Sequence, residues 1–462
     1  MTCFKLICSI KNNRNPIQQY HRMKRNIFLL TLTLLAGLRA AEAQAPMTLT
    51  LQQCVSLGMK SSRTLALSND KIVLAAIKER ETKDLIVPQM KAGLSYGRID
   101  LMEPLVLSLS DAAKPIMIPT ISKGNYQGTL SVGEPILMGL KYKYAVESAN
   151  LMSRMALLDV KKDSEEIKFN LINAYFNLMK VEASEKVVSD NQADVQQHLK
   201  DLNNLQQQGM ATQSDAVRWQ LQLNNLQSVE QDLKDAAETA QMNLDILLGL
   251  PVNTSLQIDT TESMAEPAST DLPSFQLQGL QHRPDMQTQQ LKIQVAQNNL
   301  KVAQNNVWPT VAIGGNLYYI NPNDNPLPKS DAFILAGLAS LSVNLNIGTL
   351  FTNKNTVQEQ QLNLQSAKDM NAQMMDNAGM EINAQYISWQ GSVAKMKLLQ
   401  DAEQLSLENY KLANSRYKNN ISPLSELVDA QNQYTQASIN LAIGKIESSL
   451  SYYKLLKATG TL

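Results

Sequence analysis

Glu426 and Asp429 stand three residues apart, a spacing that puts two carboxylates on one face of a helix and concentrates negative charge there. Acidic residues in a first helical turn also complement the helix dipole, so the pair has a purely structural use as well. Little else in the chain has the parts for chemistry. His21, His198 and His282 are the only histidines, and Cys3, Cys8 and Cys54 the only cysteines, with neither the spacing of a zinc knuckle nor the number for a disulfide framework. No Ser/His/Asp or Cys/His arrangement is suggested and no Gly-rich phosphate loop follows a strand, so no enzyme, resident metal or cofactor is expected. The 42 Lys and Arg balance 42 Asp and Glu, which leaves no basic footprint for nucleic acid. Only 5% of the 462 residues are aromatic while 44% are hydrophobic. The apolar content is therefore mostly aliphatic, and favours long helices over an all-β core.

Export is written at the front. Met23-Lys24-Arg25 opens a basic region, an apolar stretch runs from Ile27 to Leu38, and Ala41-Glu42-Ala43 has the small-x-small pattern of a cleavage site. Residues 1–43 read as a secretory signal peptide whose true start is expected at Met23. No later run approaches the roughly 18 apolar residues of a spanning helix. Cys54 follows Leu51-Gln52-Gln53, lacks the small residues that precede a lipidated cysteine, and reads as a small apolar residue on a helix face.

The elements that must carry Glu426 and Asp429 belong to a unit written twice. At an offset of 221, Lys71-Ile72, Ala75, Pro88 and Gly93 fall on Lys292-Ile293, Ala296, Pro309 and Gly314; at 211, Ser214-Asp215, Val217, Gln220 and Gly249 fall on Ser425-Glu426, Val428, Gln431 and Gly460. The spacing predicts a first repeat over 44–250, with a helix, a strand pair at about 88–138 and a long helical hairpin over 139–250. A loop-rich linker spans 251–274. The second repeat, 275–462, places its strand pair at about 309–347 and its hairpin at 348–460. Proline is absent from Ile136 to Leu250, from Lys329 to Ser422 and after Pro423, which permits the long helices. One uninterrupted helix from Gly139 to Gln208 would be about 100 Å long. It carries two apolar seams, Ile167-Leu171-Ala174-Leu178 and Phe169-Ile172-Phe176-Met179, and so should pack on both sides. Beyond Gly209 a heptad-like seam runs through Leu226, Val229, Leu233, Ala236, Ala240, Leu244 and Leu247.

Four segments alternate with period two. Met90, Ala92, Leu94 and Tyr96 interleave with polar or small residues, as do Tyr126, Leu130 and Val132; then Val311, Ile313, Leu317 and Tyr319; then Leu341, Val343, Leu345 and Ile347. Half-buried sheet in a soluble protein has the same pattern. A membrane reading requires several chains to share one barrel, because four strands fall short of the minimum of about eight.

Together with the duplication and the signal peptide, the tract Tyr417-Lys-Asn-Asn-Ile-Ser-Pro-Leu-Ser-Glu-Leu-Val-Asp-Ala-Gln431 resembles the TolC-like outer-membrane efflux proteins. The resemblance extends to Glu134-Pro135-Ile136-Leu137 and to the ending Ala458-Thr-Gly-Thr-Leu462. It implies a mainly α fold with a small β portion: tandem helical hairpins forming a trimeric α-barrel, continuous with a shared 12-stranded outer-membrane β-barrel to which each chain gives four strands. It further implies a passive exit duct of a tripartite efflux or type I secretion system, located in the outer membrane and reaching into the periplasm. Its partners would be two further copies, outer-membrane lipid, a periplasmic adaptor and, through it, an inner-membrane pump.

By the same resemblance, Gly209, Met210, Ala211 and Thr212 form a first adaptor-binding tip, and Asn420, Ile421, Ser422 and Pro423 a second. The second departs from the family by placing Asn420 where glycine is usual, which the left-handed conformation tolerates. Glu426 and Asp429, with Asp215 as the first-repeat counterpart of Glu426, match the acidic positions of the periplasmic aperture. There, rings of carboxylates would attract cations. Tyr96, Tyr126, Trp308 and Tyr319, with Tyr318 and Phe333 nearby, are candidates for the aromatic belts at the membrane interfaces. The competing reading is a periplasmic adaptor or coiled-coil interaction protein. An adaptor should show one long hairpin flanked by β-rich domains, whereas this chain shows two hairpins and two strand pairs.

Overall fold

The computed structural model describes residues 47–100, 105–107, 116–118, 122–207, 212–252, 254, 256–259, 271–321, 333–419 and 421–462. The signal peptide, Gly209, Met210, Ala211, Asn420 and the proline-rich loops at 115, 119, 322, 326 and 328 lie outside the described residues.

The elements run β1 (Met47–Leu49), α1 (Leu51–Ser61), α2 (Arg63–Lys83), β2 (Gln89–Asp100), β3 (Leu105–Leu107), β4 (Ile116–Ile118), β5 (Ser122–Leu137), α3 (Leu140–Gln207) and α4 (Gln213–Leu248). They continue with β6 (Leu256–Ile258), α5 (Leu272–His282), α6 (Pro284–Gln304), β7 (Thr310–Asn321), β8 (Ile334–Asn344), α7 (Ile347–Lys418) and α8 (Leu424–Thr459). Their lengths come in pairs. α1 and α5 have 11 residues each, α2 and α6 21, α4 and α8 36, and α3 and α7 68 and 72. At 1.5 Å per residue α3 and α7 are each about 100 Å long. Both hairpins stop on a left-handed glycine, Gly249 at φ +70° and Gly460 at φ +68°, whose backbone N–H groups satisfy helix-end carbonyls. Among the described residues no helix is long and apolar enough to cross a membrane.

Both seams on α3 are buried: Leu171, Ala174 and Leu178 on one, Ile172 and Phe176 on the other. They pack against α1 and the end of α4, with Leu49, Cys54, Leu244 and Leu248, and against Ile446 and Leu450 of α8. Cys54 is wholly buried and its thiol is pushed up to about 12 by that burial, which makes it an inert packing group. The α4 seam differs from expectation. Leu226, Ala240 and Leu244 are buried, but Val229 is 42% exposed and Ala236 is exposed. The buried line instead runs through Trp219, Leu223, Leu226, Glu230, Leu233, Ala237, Ala240 and Leu244, alternating steps of four and three through most of its length. Glu230 keeps its place because its carboxylate accepts a 2.7 Å hydrogen bond from Gln192 on α3.

Short β1 pairs with β6 in parallel beside the middle of α3, where the Tyr175 hydroxyl lies 3.3 Å from the Leu49 carbonyl and 3.1 Å from that of Asp259. At the α5–α6 corner, Arg283 forks onto Asp285 and also reaches Glu381 on α7 at 2.7 Å and the Ala458 carbonyl at 3.0 Å. These carboxylates and hydrogen bonds hold the guanidinium well above its ordinary pKa despite burial.

Away from the helical hairpins, β2, β5, β7 and β8 form one antiparallel sheet in the order β2-β5-β7-β8. Register sorts most of its side chains by polarity, with Leu338 and Ile334 as exceptions on the polar face and Glu134 and Arg98 on the apolar one. Met90, Ala92, Leu94, Tyr96, Tyr126, Leu130, Val132, Leu317, Tyr319, Leu335, Leu341 and Val343 share one face, and Lys91, Ser95, Gln127, Thr129, Ser131, Asn316, Ser340 and Ser342 the other.

Candidate functional site

Two regions hold the residues that the sequence singled out: the sheet at one end and the hairpin tips at the other. Among the described residues nothing covers the apolar face of the sheet, where Leu94 is 94% exposed, Met90 71% and Leu335 70%. A sheet in a soluble protein buries such a face. Among the described residues its outer strands β2 and β8 also carry open edges, because neither has a second neighbour in the sheet. An apolar face, a polar face and two unpaired edges are the properties of a segment of a membrane barrel.

Aromatic residues stand at the end of the apolar face away from the helices, and Trp308 precedes β7 at the other end. Tyr96 and Tyr126 stand directly opposite each other with ring centroids 4.8 Å apart, and Tyr319 stacks on Phe333 at 4.6 Å. Trp308 is exposed at the junction of α6 and β7. Between Trp308 and Tyr319 a strand rising about 3.3 Å per residue and tilted about 40–45° climbs roughly 26–28 Å, close to the ~25 Å apolar band of outer-membrane barrels. Tyr318, in contrast, alternates onto the polar face with Asn316 and Ala336.

At the opposite end, Thr212 caps α4. Its hydroxyl accepts from the Asp215 N–H at 3.2 Å and donates to the Asp215 carboxylate at 2.7 Å, while that carboxylate accepts from the Thr212 N–H at 3.2 Å. This reciprocal box gives Asp215 a structural use at the helix start. In the second hairpin the Asn419 side chain donates to the Ser415 carbonyl at 2.8 Å and the Ile421 N–H to the Arg416 carbonyl at 2.9 Å. Ile421 is left 67% exposed, Pro423 starts α8, and Ser422 is buried with its hydroxyl unpartnered among the described residues.

The first turns of α8 bury Leu424, Leu427 and Val428 against Val195, Leu202 and Trp219. Glu426 and Asp429 share the other side of the helix. Glu426 accepts from Arg416, at the end of α7, at 2.7 Å, so that carboxylate is locally neutralised. Asp429 is exposed and has no ion-pair partner among the described residues. Burial first, then the charge of Asp215, raises the Tyr417 phenol above its usual pKa.

Above the tips lies a cluster that the sequence did not point to. His198 of α3 stacks on Trp219 of α4 at 4.8 Å and shares a 3.0 Å hydrogen bond with the Tyr410 hydroxyl of α7, whose ring stacks on Tyr434 of α8 at 5.9 Å. Burial first, then Lys418, lowers the His198 pKa against the opposing pull of Asp194 and Asp201. The same burial pushes Tyr410 up to about 12. Four lone aromatics on four helices have no common spacing, so only three-dimensional packing reveals them. Below and beside them Gln222 donates to Asn432 at 2.6 Å and Thr435 to Asn191 at 2.8 Å, so polar pairs also join the two hairpins. Among the described residues no group of His, Cys, Asp and Glu could hold a metal ion.

This arrangement defines an architecture: a four-stranded sheet segment joined to two very long helical hairpins. Residues 278–461 match the family model of outer membrane efflux proteins. Solved structures agree over the fold. The chain is similar to the outer-membrane channel OprN (TM-score 0.73, 16% identity, 89% of this chain and 90% of that one) and to VceC of Vibrio cholerae (0.72, 16%, 89% and 96%). It is also similar to the CmeC outer-membrane channel of Campylobacter jejuni (0.72, 17%, 89% and 85%). A search of curated protein sequences finds no match. The sequence of the second repeat thus resembles the outer membrane efflux proteins, and the fold of the described length is that of the outer-membrane channels it is compared with.

Proposed function

We propose that three copies close one barrel and serve as the exit duct of a tripartite efflux or type I secretion system. The observation that carries this reading is the four-stranded sheet with one exposed apolar face, one exposed polar face and two open edges. Three such sheets give a closed 12-stranded barrel with lipid outside and water inside. The hairpins, about 100 Å long, then form the wall of a periplasmic conduit. Exposed Val229 and Ala236 on α4 suit contacts with a neighbouring copy, since the hairpin's own core leaves them unused.

The tips meet a periplasmic adaptor, which connects them to an inner-membrane pump. Exposed Ile421, buried and unpartnered Ser422, and the segment with Gly209, Met210, Ala211 and Asn420 are the proposed contact. Asp429, with Glu426 held beside Arg416, supplies the ring of charge at the aperture; Asp215 serves the cap. Purified protein inserted in a planar bilayer should give discrete, cation-preferring conductance steps. Absence of any conductance from bilayer-inserted protein contradicts the duct.

A further inference from the structure

We propose that the outward face of the sheet holds one acyl chain of a phosphorylated outer-leaflet lipid in a groove centred on Gly128; the proposal rests on the barrel reading above. Leu94, Gly128, Tyr319 and Leu335 stand in one row across β2, β5, β7 and β8. Three large side chains interrupted by a glycine leave a dent in the middle of that row. The dent continues over the adjacent row, where Leu130 and Leu317 lie between Ala92 and Gly337, to give a groove of about 560 Å³. Its walls are Leu94, Leu130, Leu317, Tyr319 and Leu335. A Cβ built on Gly128 would stand 3.4 Å from Leu94 Cδ2 and 3.6 Å from Tyr319 Cβ, ordinary contact distances. The fold therefore has room for a side chain there, and the dent is not forced by packing within the sheet.

Acyl lipid is the occupant that this position selects. The groove begins in the row of Tyr319 and runs inward over the row of Leu130 and Leu317, which lies at hydrocarbon depth, where apolar walls favour methylene groups over any solvated ligand. Further copies of the chain would add strands at the edges β2 and β8, leaving the face itself to lipid. Arg98 is exposed on the same face, two residues beyond Tyr96 and opposite Gly124. Because β2 runs away from the helices, Arg98 stands at the outer-leaflet headgroup level. A guanidinium matches phosphate oxygens there in charge and geometry.

The test uses the full mature protein extracted in gentle detergent, with lipid A, a phosphorylated and multiply acylated disaccharide, added and counted by native mass spectrometry. One lipid per chain should survive activation that strips detergent. Gly128→Leu should weaken binding at least tenfold by filling the groove. Leu94→Asn, at an exposed wall, should weaken it without touching the backbone. Arg98→Gln should remove the preference for lipid A over its dephosphorylated form, and Leu341→Ala, elsewhere on the same face, should change nothing. Equal retention by wild type, Gly128→Leu and Leu94→Asn would overturn the groove and leave only uniform lipid contact. A trimer without retained lipid counts against the groove alone, whereas a lipid-bearing monomer counts against the duct.

Discussion

Charge at the second tip is divided unequally between its two carboxylates. Glu426 is paired with Arg416 while Asp429 is not, so the net negative charge that each chain offers there comes from Asp429. In a threefold ring, Asp429→Asn should raise single-channel conductance and weaken block by a trivalent cation by about severalfold, read in planar bilayers. Glu426→Gln alone should do the same, since it uncovers Arg416. Replacing Arg416 and Glu426 together by Gln leaves the net charge unaltered and should leave block unchanged. A second residue-level prediction concerns the helix-ending glycines. Gly460 has φ +68°, and a Cβ there would lie 2.8–2.9 Å from backbone atoms of Arg283, which cannot swing aside. At Gly249 the clash is with Ser61, chiefly its side chain. Gly460→Ala should therefore cost more than the ~1–2 kcal/mol of left-handed strain alone, and more than Gly249→Ala, measured by thermal unfolding in detergent. The acidic pair and its helical face were legible as residues three apart. The ion pair with Arg416 was not, because its partners are ten residues apart across a turn whose geometry the sequence does not state.

Between the helical hairpins, the four-ring cluster at His198 couples stability to pH. The folded state lowers the His198 pKa below its ordinary value of 6.5, so the unfolded chain binds the proton more readily. Its stabilising contribution is complete above about 6.5 and is lost as pH falls through the lowered folded value. Glu182 acts in the opposite sense, since burial and Glu185 push its carboxyl up to about 6. The difference between wild type and His198→Phe isolates the histidine: wild type should lose more melting temperature than the variant between pH 7 and pH 5. Equal losses would remove His198 from the coupling. Helix stops are written locally, and each long hairpin ends on a glycine in the left-handed conformation, Gly249 and Gly460. The α4 seam was misread at Val229 and Ala236 for a physical reason. Apolar type favoured them, but the packing line passes through Glu230 and Ala237, and Lys234 at 2.6 Å together with a hydrogen bond from Gln192 satisfies the Glu230 carboxylate.

At the scale of the whole molecule, one chain is incomplete. Its sheet has a bare apolar face and two bare edges, and alternation in the sequence alone left open whether water, protein or lipid covers them. Exposure of both faces in the folded chain is the observation that the sequence lacked. In the proposed barrel, closure by three copies would satisfy the edges and the outer membrane would cover the face. The most direct test is the native mass of the mature protein after gentle detergent extraction of separated membranes. The closed-barrel account predicts a threefold mass recovered from the outer-membrane fraction. A water-soluble monomer released with the periplasmic contents would contradict it.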